Sequence, residues 1–321
     1  MATSVPAAGA QPDAAPSGEI GAQIVGGRPA AKLKPGAAAL EYNSVIPLRT
    51  DHQTCTVVLL ENPRKKGFSQ WGLTAGHCLA EKPAEVAQAA ARFFGAPIWV
   101  PVKDRQFHVR AGDVDRTKVP ASQIDRAVLN PWFTWFTGAG PAPVDPTMAA
   151  DFAMFRLQSP VKMQGARIAS AQPRTGTAID LFGWGRTSND SAATPTVANQ
   201  LRTWIIPAHK CAGADISVGD FCSNNPGGKK GACYADSGAG GYNARSEVVG
   251  LVSRGEAELC GESPDVLTGL ATYKPWIDAV MNGTLAFDQP VTPEQGGDPG
   301  HPTIQFNTTK KIALPRRVSV S

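Results

Sequence analysis

Short apolar stretches, each followed by turn-forming residues, recur along the sequence from Ile24 onward and constrain its fold more than any other feature. Each stretch has the length of one strand and is too short for a typical helix. The chain also contains 33 glycines and 27 prolines, which suit the turns between short strands. This pattern favours an all-β fold, either a barrel or a sandwich. The clearest strand candidates are TCTVVLL (54–60), QFHVRAG (106–112), DFAMFRL (151–157), AIDLFGWG (178–185) and VVGLVSRG (248–255).

Two segments carry helix signals instead. The stretch 83–94 is rich in alanine and begins with Pro83, and proline is favoured at the first helical position. A second helix is predicted to follow Pro275 and to end at Gly283, because glycine commonly terminates helices.

The two ends of the sequence differ in composition from its middle. Residues 1–23 are rich in Ala, Pro, Gly and Ser, and they lack the basic start and apolar centre of a signal peptide. After Gly283, Pro, Gly, Gln and Thr dominate. We therefore predict a leader over 1–23, one main domain over 24–283 and a C-terminal extension over 284–321. No apolar run reaches membrane-spanning length, and a net charge of +4 without a basic stripe argues against nucleic acid as a partner.

The chain has an even number of cysteines and no CxxC pair, which argues against a zinc ribbon or a redox motif. Three disulfides are the simpler interpretation, and they require an oxidising compartment such as the extracellular space. The alternative is buried free thiols in a cytosolic protein. The cysteines are Cys55, Cys78, Cys211, Cys222, Cys233 and Cys260.

The segment GACYADSGAG (231–240) places Ser237 among small residues, where a substrate carbonyl can approach the backbone. A serine hydroxyl becomes a good nucleophile only when a base takes its proton and when donors face the developing oxyanion. The candidate base is His77 in WGLTAGHCLA (71–80), since a disulfide at Cys78 would fix the backbone beside the imidazole. The alternative interpretation is that His77 is packed in the core and has no catalytic role.

Asp151 opens the apolar stretch DFAMFRL, and a carboxylate there is expected to be partly buried and in need of a partner. The imidazolium formed when His77 accepts a proton would supply that partner. Asp145 is the nearest rival, but it lies in a proline-rich segment without a strand behind it.

These segments together resemble the trypsin/chymotrypsin family of serine endopeptidases, in which the catalytic residues follow in the order His, Asp, Ser. The resemblance covers residues 24–283 in eight landmarks. They are IVGG (24–27), TAGHC (74–78), DFAMFRL (151–157), GWG (183–185), CYADSGAG (233–240), VSRG (252–255), PDVLT (264–268) and YKPWI (273–277).

The resemblance implies a fold of two packed six-stranded antiparallel β-barrels with a C-terminal helix. It implies that Ser237 is the nucleophile, that His77 is the base and that Asp151 orients the base. It also implies an oxyanion hole formed by the amides of Ala235 and Ser237, a hydrogen bond from Ser253 to Asp151, and the disulfides Cys55–Cys78, Cys211–Cys222 and Cys233–Cys260. We expect a secreted monomer that acts on protein or peptide substrates and needs no cofactor or metal.

Activation by cleavage is a further implication. In this family a newly formed amino terminus inserts and pairs with the Asp before the serine, which here means Ile24 and Asp236. Residues 1–23 would then be a propeptide removed by an activating protease, and the alternative is an expression leader. The cut would follow Gln23, so the activating protease is not expected to be trypsin-like.

The substrate pocket departs from the family pattern. Gly231 stands where trypsin-like members carry Asp, whereas Asp265 stands on the opposite wall where most members carry Gly. Asp265 would favour Arg or Lys in the substrate. If it is screened, a small aliphatic pocket results instead, shaped by Ala232, Gly255 and Leu267.

Two further departures lie close to the nucleophile. Ala235 replaces a nearly invariant Gly of the family. Its amide can still donate to the oxyanion, but its methyl is expected either to disfavour the backbone conformation or to crowd bulky inhibitors. Arg254 replaces a Trp in the cleft strand, where it narrows the cleft or favours acidic residues in the substrate, and the alternative is a solvated side chain. The rival function is a catalytically silent homologue that acts as a binding module, and an esterase on the same scaffold is a third possibility.

Overall fold

The structure of the protein is a computed structural model. It describes residues 24–44, 55–79, 105–130, 134–135, 148–191, 193–211, 216, 219–255, 257, 259–283, 303–305 and 311–313. The predicted helix over 83–94 lies outside these residues. No helix within them is long and apolar enough to cross a membrane.

The first barrel is closed by six antiparallel strands in the order β2-β3-β4-β9-β6-β5. Alternate apolar residues of these strands point into the barrel interior, as Cys55, Val57 and Leu59 of β3 do. Val58 points to the other face of β3 and is packed in a second apolar cluster, so every residue of CTVVL is buried. The strands are β2 (Ala37–Ser44), β3 (Cys55–Leu59), β4 (Phe68–Thr74), β5 (Arg105–Ala111), β6 (Ala121–Leu129) and β9 (Ala153–Lys162).

The second barrel contains six strands in the order β11-β10-β13-β14-β15-β12, and pairing of β11 with β12 closes it. The short strand β1 (Arg28–Pro29) adds to the outside of β11. The barrel strands are β10 (Ala178–Gly183), β11 (Asn199–Ile206), β12 (Asp220–Ser223), β13 (Gly240–Tyr242), β14 (Val248–Gly255) and β15 (Asp265–Gly269).

The remaining elements are short. Helix α1 (Gly76–Leu79) is a single turn after β4, and α2 (Lys274–Met281) follows the second barrel. Three 3₁₀ turns cover Arg116–Lys118, Ala208–Lys210 and Pro226–Gly228. Two small hairpins pair β7 (Thr134–Trp135) with β8 (Met148–Ala149), and β16 (Thr303–Gln305) with β17 (Lys311–Ala313).

One apolar cluster joins the two barrels and α2. Phe152 is wholly buried at its centre, and its ring meets Tyr273 at 5.0 Å and Trp276 at 5.6 Å between centroids. Trp276, Ile277 and Val280 form the buried face of the helix. Because Phe152 follows Asp151 directly, this packing also fixes the backbone of Asp151.

The fold predicted from the sequence is confirmed, and of the two all-β alternatives the barrel is the one observed. The predicted helix after Pro275 is present, although it begins two residues earlier than predicted, at Lys274, and Gly283 follows its end at φ 69°. One detail differs. β9 begins at Ala153, so Asp151 precedes the strand instead of opening it.

Candidate active site

His77 and Asp151 form the most tightly connected pair at the junction of the barrels. His77 Nδ1 lies 2.8 Å from Asp151 Oδ2, and the backbone N–H of His77 donates to Asp151 Oδ1 at 3.0 Å. Both carboxylate oxygens therefore face the same histidine, and Asp151 itself is wholly buried. Two contacts fix the ring plane as well as its position, and they leave Nε2 on the side of the ring away from Asp151.

A third group completes the surroundings of this carboxylate. The hydroxyl of Ser253, in β14, donates to Asp151 Oδ2 at 2.7 Å. Burial by itself would raise the pKa of Asp151, but the charge of His77 and the hydrogen bonds from His77 and Ser253 outweigh it and lower that pKa. Asp151 is therefore a carboxylate at neutral pH.

The same pairing acts on the histidine. Burial favours the neutral imidazole of His77, but the negative charge and hydrogen bond of Asp151 outweigh it and raise the pKa of His77 above its ordinary value. An imidazole with a raised pKa and a fixed ring is suited to accepting a proton and holding it for a second transfer.

The local sequence explains the position of His77. β4 ends at Thr74, whose hydroxyl donates to the carbonyl of Thr56, and the turn of α1 follows at once. The disulfide Cys55–Cys78 then ties α1 to β3. A covalent bond on the residue next to His77 therefore limits how far the imidazole can move.

Ser237 lies between the two barrels. Its carbonyl accepts from the backbone N–H of Thr56 at 2.9 Å, and the next residue, Gly238, donates to the carbonyl of Val252 at 2.8 Å. Cys78 Sγ lies 3.7 Å from the same carbonyl oxygen of Ser237. The nucleophile candidate is therefore held against β3 on one side and β14 on the other, next to the turn that carries His77.

The turn before Ser237 has a backbone that glycine would suit better. The N–H of Asp236 donates to the carbonyl of Cys233 at 2.9 Å, and Ala235 at its third position has φ 76°. A positive φ at that position defines a type II turn. An L-residue in this region costs about 1–2 kcal/mol. The Ala235 carbonyl is held by the hydroxyl of Thr56 at 3.1 Å.

Asp236 is buried beside the GWG segment. Its Oδ1 accepts from the N–H of Gly185 at 2.8 Å and its Oδ2 from the N–H of Cys233 at 3.0 Å. Burial raises the pKa of Asp236 to about 7, although these two hydrogen bonds oppose the rise. A side chain at Gly183 or Gly185 would overlap the carboxylate, which explains both glycines.

Ile24 is wholly buried in the interior of the second barrel, in one apolar cluster with Ala239 and Leu267. The next residue, Val25, accepts from the N–H of Gly231 at 3.1 Å. In the intact chain the nitrogen of Ile24 belongs to a peptide bond and carries no charge. The IVGG segment thus lies close to the serine loop and to the predicted pocket.

The pocket residues predicted on three separate segments lie together. Asp265 is 3% exposed, and its Oδ2 accepts from the N–H of Ala232 at 3.0 Å. Gly231 faces its Oδ1, since a Cβ there would come to 3.0 Å, and Gly255 pairs with Asp265 between β14 and β15. Burial, reinforced by the charge of Asp236, raises the pKa of Asp265 to about 8 against the hydrogen bond from Ala232.

Arg254 takes a position that neither sequence interpretation described. Its side chain is 8% exposed, and Nη1 lies 3.7 Å from Oδ2 of the wholly buried Asp220. The guanidinium is therefore directed to a carboxylate on β12 and not to solvent. The positive charge that replaces an aromatic ring on the cleft strand is balanced from within the protein.

The six cysteines form three disulfides. These are Cys55–Cys78, Cys211–Cys222 and Cys233–Cys260, the pairing that the family resemblance implied. The last bond anchors the start of the serine loop. Among the described residues, no three His, Cys, Asp or Glu side chains are arranged to hold a metal ion.

Thr56 is a site residue that the sequence analysis missed. Its N–H donates to the carbonyl of Ser237 and its hydroxyl to the carbonyl of Ala235. The same hydroxyl oxygen accepts from the N–H of Trp184 at 3.3 Å. The available signal was a polar residue in the middle of the apolar run TCTVVLL. A buried hydroxyl in such a run needs partners, and here those partners are the loop itself.

Two closed six-stranded barrels with a histidine, an aspartate and a serine at their junction define the class of chymotrypsin-like serine protease folds. Residues 24–277 match the family model described as Trypsin, which covers more than half of the chain. The chain belongs to the trypsin family of serine proteases.

Individual relatives agree with this assignment. Trypsin eta of Drosophila melanogaster is 32% identical over 141 residues, covering 41% of this chain and 53% of the relative. Trypsin delta of Drosophila erecta is 30% identical over 141 residues, with 41% and 54% covered. The chain thus spans about half the length of the curated relatives it matches. A solved structure of neuropsin, a serine protease expressed in the limbic system of mouse brain, shares the fold with a TM-score of 0.58 at 21% identity, covering 80% of this chain and all of that one.

Proposed function

We propose that the protein is a secreted serine endopeptidase in which Ser237 is the nucleophile, His77 the general base and Asp151 the residue that orients the base. The observation that carries this proposal is the double contact between His77 and Asp151, at 2.8 and 3.0 Å. Family membership supports the reaction class, and the three disulfides support an oxidising compartment outside the cell.

In the proposed reaction the hydroxyl oxygen of Ser237 forms a bond to the carbonyl carbon of the substrate while its proton passes to Nε2 of His77. The oxyanion accepts hydrogen bonds from the amides of Ala235 and Ser237. His77 then gives the proton to the departing amine as the C–N bond breaks, which leaves an acyl-enzyme. Water repeats the sequence and releases the acid.

We also propose that the protein is made as a zymogen, with residues 1–23 as the propeptide. Asp236 is 1% exposed and is held only by amide donors among the described residues, so a cation would stabilise its charged form. Cleavage before Ile24 by an activating protease would create such a cation on a residue already buried nearby. The new ion pair would then steady the turn that carries the two oxyanion donors.

The substrate pocket is proposed to favour Arg or Lys before the cut. The Asp265 carboxylate lies directly against Gly231 because this glycine has no side chain, and a cationic side chain would compensate the burial of that carboxylate. Ala232, Gly255 and Leu267 then form the apolar walls around the aliphatic part of the substrate side chain.

A catalytically silent binding module is the second candidate. The observation in its favour is Ala235, whose φ of 76° is unfavourable for alanine at a proposed oxyanion donor. Loss of one such donor can lower the rate about 10²–10³-fold.

A fluorophosphonate probe distinguishes the two candidates, because it reacts only with an activated serine. We expect labelling of the chain that begins at Ile24, weaker labelling of the intact chain, and none in Ser237→Ala or His77→Ala. Circular dichroism of each variant verifies folding. A folded Ile24-started chain that stays unlabelled would support the binding module, and full labelling of the intact chain would overturn the zymogen proposal.

A further inference from the structure

Tyr234 is an exposed aromatic residue in the turn that leads to the nucleophile. It is 60% exposed, more than the other large apolar side chains exposed among the described residues, Trp204 and Leu259. Its neighbours in sequence are Cys233, bonded to Cys260, and Ala235. A large exposed ring on a covalently anchored turn is preorganised for contact with another molecule.

Arg186 lies over this ring. Its guanidinium carbon is 4.8 Å from the ring centroid of Tyr234, and its backbone N–H donates to the carbonyl of Tyr234 at 2.8 Å. A guanidinium on the face of an aromatic ring is attracted by the ring quadrupole and loses less conformational entropy when it binds a ligand. The preceding residue, Gly185, donates to Asp236, so Arg186 is connected to the serine loop at two points.

The charge of Arg186 is not neutralised within the described residues. Arg110, Arg116, Arg156 and Arg245 each have a carboxylate within 3 Å there, but no carboxylate of the described residues lies within ion-pair distance of Arg186. Arg254, the arginine predicted on the cleft strand, is directed to Asp220. Arg186 therefore presents a positive charge beside the serine loop that the described protein leaves for a ligand.

The distance to the nucleophile limits what this ligand can be. Tyr234 is three residues before Ser237, so their Cα atoms are at most about 11 Å apart. A substrate in extended form advances about 3.3 Å per residue. A side chain within about four residues of the scissile bond can therefore reach the guanidinium.

We propose that Arg186 and Tyr234 form an accessory subsite that binds an acidic side chain, Asp or Glu, of the peptide substrate within four residues of the cut. The Arg186 guanidinium donates to the carboxylate, and the Tyr234 ring holds the guanidinium in place. This inference rests on the proposed endopeptidase activity, since it adds a specificity determinant to the same site.

The test compares peptides that differ only by Glu or Gln at each of the four positions on either side of the cut. For the Ile24-started chain we expect one position at which Glu raises kcat/KM about two- to fivefold over Gln, the range of a partly exposed ion pair. Raising the ionic strength should reduce this ratio, because salt screens exposed charges.

Three variants make the test specific. Arg186→Gln should bring the Glu/Gln ratio to one, and Tyr234→Ala should lower it. Arg174→Gln removes the same charge from an exposed turn that precedes the start of β10, and it should leave the Glu/Gln ratio unchanged. The ratio cancels any general loss of activity in Tyr234→Ala.

Equal hydrolysis of Glu and Gln peptides at every position would overturn the accessory subsite and leave the endopeptidase proposal standing. A Glu preference that persists in Arg186→Gln would also overturn it. Failure to cleave any peptide would overturn both proposals together.

Discussion

The backbone at residue 235 adopts a conformation that is unfavourable for alanine. The turn from Cys233 to Asp236 needs a positive φ at residue 235, and the carbonyl of Ala235 is also held by Thr56. Glycine would adopt this positive φ without strain, whereas alanine costs about 1–2 kcal/mol there. The strain lies two residues before Ser237, where the backbone has to present the proposed oxyanion donors.

Ala235→Gly is therefore expected to stabilise the protein. The gain in the free energy of unfolding should be about 0.5–1 kcal/mol, because the relief of strain exceeds the extra entropy of glycine in the unfolded chain. The rate of fluorophosphonate labelling should rise as well. Urea unfolding and labelling kinetics measure the two effects.

The control for this substitution is Ala239→Gly. Ala239 is wholly buried and has no positive φ, so its replacement should lower the free energy of unfolding by about 1–2 kcal/mol. Destabilisation by Ala235→Gly of the same size would mean that the turn is not strained.

Asp265 makes the proposed basic specificity dependent on pH. Burial raises its pKa to about 8, so the empty pocket contains a neutral acid below that pH and a carboxylate above it. The ratio of kcat/KM for a Lys peptide to that for a Leu peptide should therefore climb as the pH rises through about 8. Titration of His77 affects both peptides and cancels in the ratio.

Asp265→Asn provides the comparison, since an amide keeps a hydrogen-bond acceptor for Ala232 and removes the ionisation. The ratio should then be lower and independent of pH. An equal rise in this variant, or a flat profile in the unaltered chain, would remove Asp265 from the proposed specificity.

At the scale of elements, the segment after β10 shows how close packing assembles the site. Gly185 donates to Asp236, and a Cβ at this glycine would overlap the carboxylate. Gly185 has no positive φ, so the need is for space and not for backbone freedom. The loop that carries Ser237 can lie against this segment only because residues 183 and 185 have no side chains.

Gly185→Ala should weaken the packing of the loop that carries Ser237 against the segment after β10. We expect a loss of about 2–4 kcal/mol in the free energy of unfolding, from overpacking and from the disturbed hydrogen bond to a buried carboxylate. Gly255→Ala is the control, because its nearest contact, Ser263 Oγ, would lie at an ordinary 3.5 Å. Thermal or urea unfolding measures both, and similar losses in the two variants would contradict the packing argument.

The sequence predicts elements where a local signal is sufficient. Period-two or continuous apolar runs located β3, β10 and β14, and Pro275 with Gly283 located α2. The family resemblance implied the disulfide pairing that is observed. These features depend on residues close in sequence or on spaced landmarks, so one chain without a structure reveals them.

Features that depend on strand register could not be predicted from the sequence alone. Arg254 meets Asp220 because β12 and β14 both pair with β15, which brings together residues that are 34 positions apart. Thr56 reaches the serine loop only once the two barrels have packed. Asp151 lies just before its strand, next to Phe152, whose ring packs between the barrels and α2. In each case a tertiary contact decides the position.

At the scale of the whole molecule, each barrel supplies part of the site. His77 and Asp151 lie on segments of the first barrel, whereas Ser253 on β14 and the serine loop belong to the second. The shared apolar cluster around Phe152 holds the two halves together. A change that loosens the junction should therefore affect the geometry between His77 and Ser237 before it unfolds either barrel.

The proposed cleavage before Ile24 should also change how the stability of the whole molecule depends on pH. In the intact chain burial raises the pKa of Asp236 to about 7, above its ordinary value of 3.8. The folded state then binds a proton that the unfolded state has lost, so the contribution of Asp236 to stability is greatest below pH 4 and falls between pH 4 and 7 by up to about 1.4 kcal/mol per pH unit.

A free ammonium at Ile24 reverses this trend for Asp236, because an opposite charge lowers the pKa of a buried carboxyl. Urea unfolding of the intact and Ile24-started chains at pH 4, 5, 6 and 7 should therefore give a steeper decline for the intact chain. Asp236→Asn should make the two profiles parallel, because it removes the carboxyl group on which the new terminus would act. Parallel profiles in the unaltered protein would show that Ile24 and Asp236 do not pair, and the proposed activation would then need another carboxylate as the partner of the new terminus.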